Sequence, residues 1–182
     1  MSVTNSNSSQ SSLSRPLYCA LVTASDTRVP ANDTSGDLMQ MMLTQAGHHI
    51  VRRDIIREDF VLLQSHISQL IADEQVEVIC ISGGTGITLR DSTPEVLQTL
   101  ASKEIPGFGE LFRWLSYEQI GSSTIQSRAG AWLCQDTLAF ALPGSPSAVQ
   151  LALEKILIPQ LDINHKPCNF AQLMNRIQIK KQ

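Results

Sequence analysis

The chain predicts an α/β protein: a three-layer, mostly parallel sheet with helices on both faces. Short, nearly continuous apolar runs alternate with segments of helical periodicity, as buried parallel strands and their crossover helices do. Clusters of glycine, serine, threonine and proline stand directly after the apolar runs, where strands hand over to helices. The length of 182 residues, at 42% apolar and 17% charged, suffices for one domain with a real core.

The elements follow in order. Residues 1–15 are mostly Ser, Asn and Gln with little to bury, which predicts a disordered tail ahead of a domain over 16–170. Residues 17–24 (LYCALVTA) read as the first strand. The polar loop from Ser25 to Gly36 is longer than a usual βα loop, and such loops are often functional. Leu38, Met41 and Met42 then recur at helical spacing, with Gly47 as the stop. Residues 49–56 read as a second strand, and 59–73 as an amphipathic helix carrying Leu63, Ile67 and Leu70. Residues 76–81 (VEVICI) are β-branched and apolar and predict a third buried strand. A helix over 94–102 follows, with Thr93 as its N-cap and Pro94 at its first position. Ile105, Pro106, Gly107, Phe108 and Gly109 predict a break before a helix over 110–120 closed by Gly121. Residues 129–134 and 137–142 are apolar runs that form either a hairpin or a parallel strand with an antiparallel neighbour. Ser145 and Pro146 open a last helix with Val149, Leu153, Ile156 and Leu157 inside, which Pro159 ends. The polar stretch from Asp162 predicts a C-terminal tail over 171–182.

Composition narrows the function. A net charge of −3 and the lack of a long basic run give no support to nucleic-acid binding. No stretch approaches a transmembrane helix, and no basic-then-apolar N-terminal segment resembles a signal peptide. The four cysteines, at 19, 80, 134 and 168, match no zinc spacing and predict free thiols in a reducing compartment. A soluble cytoplasmic protein is expected. The histidines have no metal-ligand spacing. Phe108, Phe112, Trp114 and Tyr117 gather much of the aromatic content in one segment, as core or as a subunit interface.

Ligands of such sheets sit beyond the carboxyl ends of the strands. Three loops meet there: Ser25 to Gly36, Gly83 to Asp91 and Pro143 to Pro146. In the middle loop, Ser82, Gly83, Gly84, Thr85 and Gly86 follow a buried strand, and the glycines let backbone N–H groups approach a ligand without a Cβ between. That suits an anion. Asp91 either caps a turn or ligates magnesium through oxygen. Arg90 is either a solvated charge or a phosphate partner. Asp33 or Thr34 caps the first helix, and Asp59 the second; Glu58 is a second acid at the mouth. No Ser-His-Asp or Cys-His nucleophile stands out. Transfer between two phosphorylated molecules needs none, because positioning and charge neutralisation supply most of the catalysis.

Ser82-Gly83-Gly84-Thr85-Gly86, Arg90-Asp91 and Thr93-Pro94-Glu95 resemble the signature of the MoaB/MogA family of molybdenum cofactor biosynthesis proteins. Similar domains occur in gephyrin and plant Cnx proteins. Ile105-Pro106-Gly107-Phe108-Gly109-Glu110, Ser127-Arg128-Ala129 and Leu142-Pro143-Gly144-Ser145-Pro146 match as well. Ala46-Gly47-His48-His49, Ile120-Gly121 and Pro167-Cys168-Asn169-Phe170 resemble the MoaB branch. The resemblance covers about residues 17–170 and implies a molybdopterin-binding fold assembled as trimers, or hexamers built from trimers. It implies an adenylyltransferase that binds molybdopterin and ATP, with Mg²⁺ as cofactor; a pterin-binding protein without catalysis is the alternative. Carried over by position, Gly83 to Gly86 cradle phosphate or pterin, and Asp91 is the catalytic acid that positions Mg²⁺ and ATP. The second acid falls at Glu58, where the family's order of Asp then an acid is replaced by Glu58-Asp59. Ser25, Asp26 and Ser35 lie across the pocket, and Pro143, Gly144 and Ser145 close it. Arg90, Asp91, Thr93 and Pro94 retain the Arg-Asp-x-Thr-Pro form that favours activity.

Overall fold

The computed structural model describes residues 15–178. In chain order the elements are β1 (Tyr18–Ala24), α1 (Thr34–Gln45), β2 (His49–Ile56), α2 (Phe60–Ala72), β3 (Val78–Ser82), α3 (Thr93–Leu100), β4 (Lys103–Glu104) and α4 (Pro106–Ile120). A 3-10 turn leads into the pair β5 (Gly130–Cys134) and β6 (Thr137–Leu142). Helices α5 (Pro146–Ala152), α6 (Ile158–Leu161) and α7 (Phe170–Gln178) follow.

The strands form one sheet in the order β2-β1-β3-β6-β5-β4. The first four are mutually parallel; β5 runs against β6, and β4 against β5. The two apolar runs near residue 135 therefore satisfy both readings, pairing as a hairpin while β6 joins the parallel sheet. Side chains alternate between faces with the period of two that a pleated strand imposes. Cys19, Leu21, Cys80 and Phe140 point toward α1, α4 and α5. Ala20, Val22, Ile79 and Ile81 point toward α2 and α3. Burial on both faces explains why these strands read as unbroken apolar runs. Phe140 anchors the first layer, its ring 5.3 Å from that of Phe108 and 5.9 Å from that of Phe170. The three-layer, mostly parallel α/β architecture is the one predicted.

Helix starts obey local chemistry. The Asp33 carboxylate accepts the Gly36 N–H at 3.0 Å, Asp59 accepts the Leu62 N–H at 3.0 Å, and Ser145 Oγ accepts the Ala148 N–H at 3.4 Å. Four expectations need correction. Pro106 opens α4 instead of breaking a helix, because proline at the first position sacrifices only an N–H that would be unpaired anyway. Pro159 lies within α6: a wide π-turn over Leu153–Leu157 has already displaced the regular hydrogen-bond ladder before it. Thr93 is the first helical residue of α3 and not its cap; its hydroxyl turns back to the glycine loop. The stretch read as a tail from 171 is helical to Gln178, because Ala171 and Met174 are buried against the core. The predicted tail over 1–15 lies, apart from Arg15, outside the described residues, as do 179–182. No helix among the described residues is long and apolar enough to cross a membrane.

Cys19, Cys80 and Cys134 are buried free thiols and Cys168 is exposed. Burial pushes the Cys80 thiol up to about 12 and that of Cys134 to about 11, so neither is a nucleophile at neutral pH. His48 is buried, and its Nδ1 accepts the Leu17 N–H at 3.3 Å, a structural role.

Candidate active site: a glycine-floored cleft between two carboxylates

Beyond the carboxyl end of β3 the chain makes two successive residues with positive φ, Gly83 at 101° and Gly84 at 64°. Glycine is required at both for conformation and for space. A Cβ on Gly83 would stand 2.2 Å from the Ala24 carbonyl oxygen, and one on Gly84 would stand 2.4 Å from Thr93 Oγ1. Thr93 grips both residues, its hydroxyl donating to the Gly83 carbonyl at 2.9 Å and its N–H to the Gly84 carbonyl at 3.1 Å. With the carbonyls held by α3, the loop is fixed between β3 and that helix.

The loop floors a cleft of about 380 Å³ walled by Glu58, Asp91, Phe112, Ser116 and Gly144. This volume falls in the range of roughly 300–1,000 Å³ usual for small-molecule sites. Gly83, Gly84, Thr85 and Gly86 form the floor, and Pro143, Gly144 and Ser145 form the rim. The three predicted loops do converge: Ser35 Oγ donates to the Gly144 carbonyl at 2.8 Å, and a Cβ on Gly144 would lie 3.5 Å from Gly83 Cα.

Not every predicted residue faces the cleft. Ser82 is fully buried beneath it, its hydroxyl 3.5 Å from that of Thr23. Ser35 is buried and occupied with Gly144. Ser25 Oγ accepts the N–H groups of Thr27 and Arg28, each at 3.2 Å, and so shapes its own loop. With Asp26 it lines a neighbouring hollow of about 560 Å³, which Arg28, Arg53 and Arg57 also wall. Arg90 forms an ion pair with Asp26, joining the first loop to the second.

The two acids are differently poised. Burial, followed by the charges of Asp91 and Asp26, raises Glu58 above its ordinary value, against the opposing Arg90 cation and the Gly84 N–H. Partial burial also pushes Asp91 upward. The Thr88 hydroxyl and the N–H groups of Thr88 and Gly86 outweigh it, so its carboxyl stays below the usual range. Thr88 donates to Asp91 Oδ2 twice, from the hydroxyl at 2.6 Å and the N–H at 2.9 Å. The cleft thus pairs a carboxylate ionised at neutral pH with one whose ionisation its neighbours resist.

Among the described residues no group of three His, Cys, Asp or Glu side chains forms a ready-made metal cage. Magnesium seldom uses one; it takes one or two carboxylates and completes its shell with water and substrate phosphate. Two mutually repelling carboxylates on one cleft fit that habit, because a cation between them would relieve the repulsion that raises Glu58.

Several residues of the site escaped sequence reasoning. Phe112, Ser116, Ser123, Gln126 and Ser127 line the cleft from α4 and the turn after it. Arg128 holds the Asp91 loop. Its place in Ser127-Arg128-Ala129 marked it as part of a matching motif, but no spacing rule gave it a partner.

A mostly parallel three-layer α/β fold, with a glycine loop and an acid pair lining a cleft at the carboxyl edge of the sheet, has the layout of a small-molecule-binding domain. Residues 20–163 match the family described as "Probable molybdopterin binding domain", and the chain belongs to that family, in its MoaB/MogA group. It is 45% identical over 155 residues to Molybdenum cofactor biosynthesis protein B of Escherichia coli (strain K12), covering 85% of this chain and 91% of that one. It is 48% identical over 144 residues to the protein of the same name from Bacillus subtilis (strain 168), covering 79% and 85%. A crystal structure of Molybdenum cofactor biosynthesis protein B superposes with a TM-score of 0.82 at 37% identity, covering 91% of this chain and 98% of that one.

Proposed function

We propose that the chain acts in molybdenum cofactor biosynthesis by binding molybdopterin and adenylylating it with Mg-ATP. The observation that supports this best is that Glu58 and Asp91 flank one glycine-floored cleft. An oxygen of the pterin's terminal phosphate forms the new bond to the α-phosphorus of ATP. The bond between the α- and β-phosphates breaks, and pyrophosphate leaves. No protein nucleophile takes part. The N–H groups of the glycine loop hold phosphate, as backbone donors with no intervening Cβ do. Asp91 is ionised throughout the neutral range, and Glu58 provides the second carboxylate. Magnesium arriving with the nucleotide would be held by Asp91 and Glu58 and would neutralise charge on the leaving pyrophosphate. Arg90 and Arg57 place cations at the mouth through Asp26. We place the protein in the cytoplasm. We also propose a homotrimer or homohexamer, joined through the exposed apolar residues of α4 and the following turn.

The test is pyrophosphate release from ATP with molybdopterin present or omitted. Release requires molybdopterin in the wild type, and Asp91→Asn lowers kcat about 10²–10³-fold, the range expected when a charge-stabilising group is lost. A folded wild type that releases none refutes the proposal.

One observation favours the alternative of binding without turnover. Asp91 Oδ2 already receives two hydrogen bonds from Thr88, so Asp91 also acts as a local turn-former. That reading predicts unchanged molybdopterin affinity in Asp91→Asn and no ATP consumption by either protein.

A further inference from the structure

The 86–91 loop carries Asp91, yet apolar burial does not hold it, since Ile87 and Leu89 both face solvent. Its internal ties are short-range bonds between Asp91 and both Thr88 and Gly86 and from the Arg90 N–H to Thr88 Oγ1, and the Arg90 side chain pairs outward with Asp26. Both of its ends are instead gripped by one side chain from a distant stretch of sequence. Arg128 Nε donates to the Gly86 carbonyl at 2.6 Å, and Nη2 donates to the Asp91 carbonyl at 2.9 Å. The Arg128 N–H donates to the Thr85 carbonyl at 2.9 Å, just ahead of the loop. The remaining edge of the guanidinium pairs with Glu95 on α3.

We infer that Arg128 is a positioning residue: its planar fork clasps the two ends of the 86–91 loop and so sets where the Asp91 carboxylate stands. Arg128 makes no hydrogen bond to that carboxylate; it positions it through the loop backbone, and its charge adds a smaller direct pull that favours the ionised form, which Arg128→Lys retains. Three edges of the fork have three different partners, a geometry that a lysine ammonium cannot reproduce. Glu95 holds the fork in plane from the first turn of α3. The loop is thereby tied to the helix whose Thr93 fixes Gly83 and Gly84, and the anion floor and the acid move as one body.

The inference rests on Asp91 being the working acid of the proposed transfer, and the test separates the two. Full-length wild type, Arg128→Ala, Arg128→Lys and Glu95→Gln are compared by hydrogen exchange over residues 84–92 and by kcat and KM for ATP in pyrophosphate release. In Arg128→Ala and Arg128→Lys the 84–92 amides exchange about tenfold faster, as losing a charge-assisted hydrogen bond implies, while β3 and β6 are unchanged. kcat falls about 10–100-fold with a smaller change in KM, the cost of a misplaced group and not of lost binding. Glu95→Gln lies between. Unchanged exchange over 84–92 in Arg128→Ala, or full recovery in Arg128→Lys, overturns the inference. Should Arg128→Ala not fold, Arg128→Lys and Glu95→Gln carry the comparison. If the wild type releases no pyrophosphate, the adenylylation reading fails while the exchange arm still decides what Arg128 does.

Discussion

At the scale of single residues, the site is governed by what one atom can and cannot replace. Gly84→Ala places a methyl group 2.4 Å from Thr93 Oγ1 at a φ of 64°, so it lowers stability by more than about 1 kcal/mol, measured by urea unfolding. The two acids give opposite signs with pH. Asp91 is held below its ordinary 3.8, so the stability it contributes is present above that value and is lost as pH falls through its lowered folded value. Glu58 is raised above its ordinary 4.5, first by burial and then by its acidic neighbours; it favours the fold while protonated, and that contribution is lost as pH rises through its raised value. On the proposed reading pyrophosphate release needs Glu58 ionised, so the acid limb of kcat/KM, which reports the enzyme before Mg-ATP binds, lies above pH 4.5. Arg90→Ala moves that limb higher, because it removes the cation that, with the Gly84 N–H, pulls Glu58 down. A limb that stays in place in Arg90→Ala separates Glu58 from the chemistry. That the glycines, Asp91 and Glu58 line one cleft was legible from the sequence, the glycines and Asp91 by residue type after a strand and Glu58 by its position in the family pattern. Ser35 and Ser82 entered the expected site through the family motifs, but their hydroxyls are spent inside the protein, on the Gly144 carbonyl and beside Thr23, which no local pattern encodes.

Among the elements, the strands and the helix starts capped by Asp33, Asp59 and Ser145 were the most legible, because a buried parallel strand is a continuous apolar run and such a cap is a single polar side chain. The elements misread were those set by distant contacts. Pro106 and Pro159 looked like stops, since a proline alone does not say whether it lies at the start of a helix or in its interior. Helix α7 was hidden in a polar stretch, from which Phe170, Ala171 and Met174 meet the core. Met174 is fully buried there, so Met174→Ala costs about 2–5 kcal/mol in denaturant unfolding. A change under half a kcal/mol would mean that α7 only rests on the domain. Thr93 shows the same principle at the site: its position before Pro94 reads as a cap, yet its hydroxyl serves the Gly83 carbonyl across ten residues.

Over the whole molecule, the aromatic segment resolves into two roles. Phe108 and Phe112 enter the core, while Trp114 and Tyr117 remain 64% and 61% exposed on the same helix beside Ile120 and Ile125. Solvent-facing apolar side chains grouped in this way mark contact surfaces. If the proposed trimer or hexamer is joined through this surface, Trp114→Asp combined with Tyr117→Asp shifts the sedimentation coefficient from that of an oligomer to that of a monomer with far-ultraviolet circular dichroism unchanged; a wild type that already sediments as a monomer refutes the assembly. An unaltered oligomer would place the subunit contact elsewhere. The site itself draws on three parallel strands, and the bond from Ser35 to Gly144 joins positions 109 residues apart in the chain. During synthesis from the N-terminus, the glycine floor and Glu58 emerge well before the rim that completes them. A nascent or truncated chain ending before Gly144 lacks that rim, so the cleft takes its full shape only after β6 and the turn beyond it have been made.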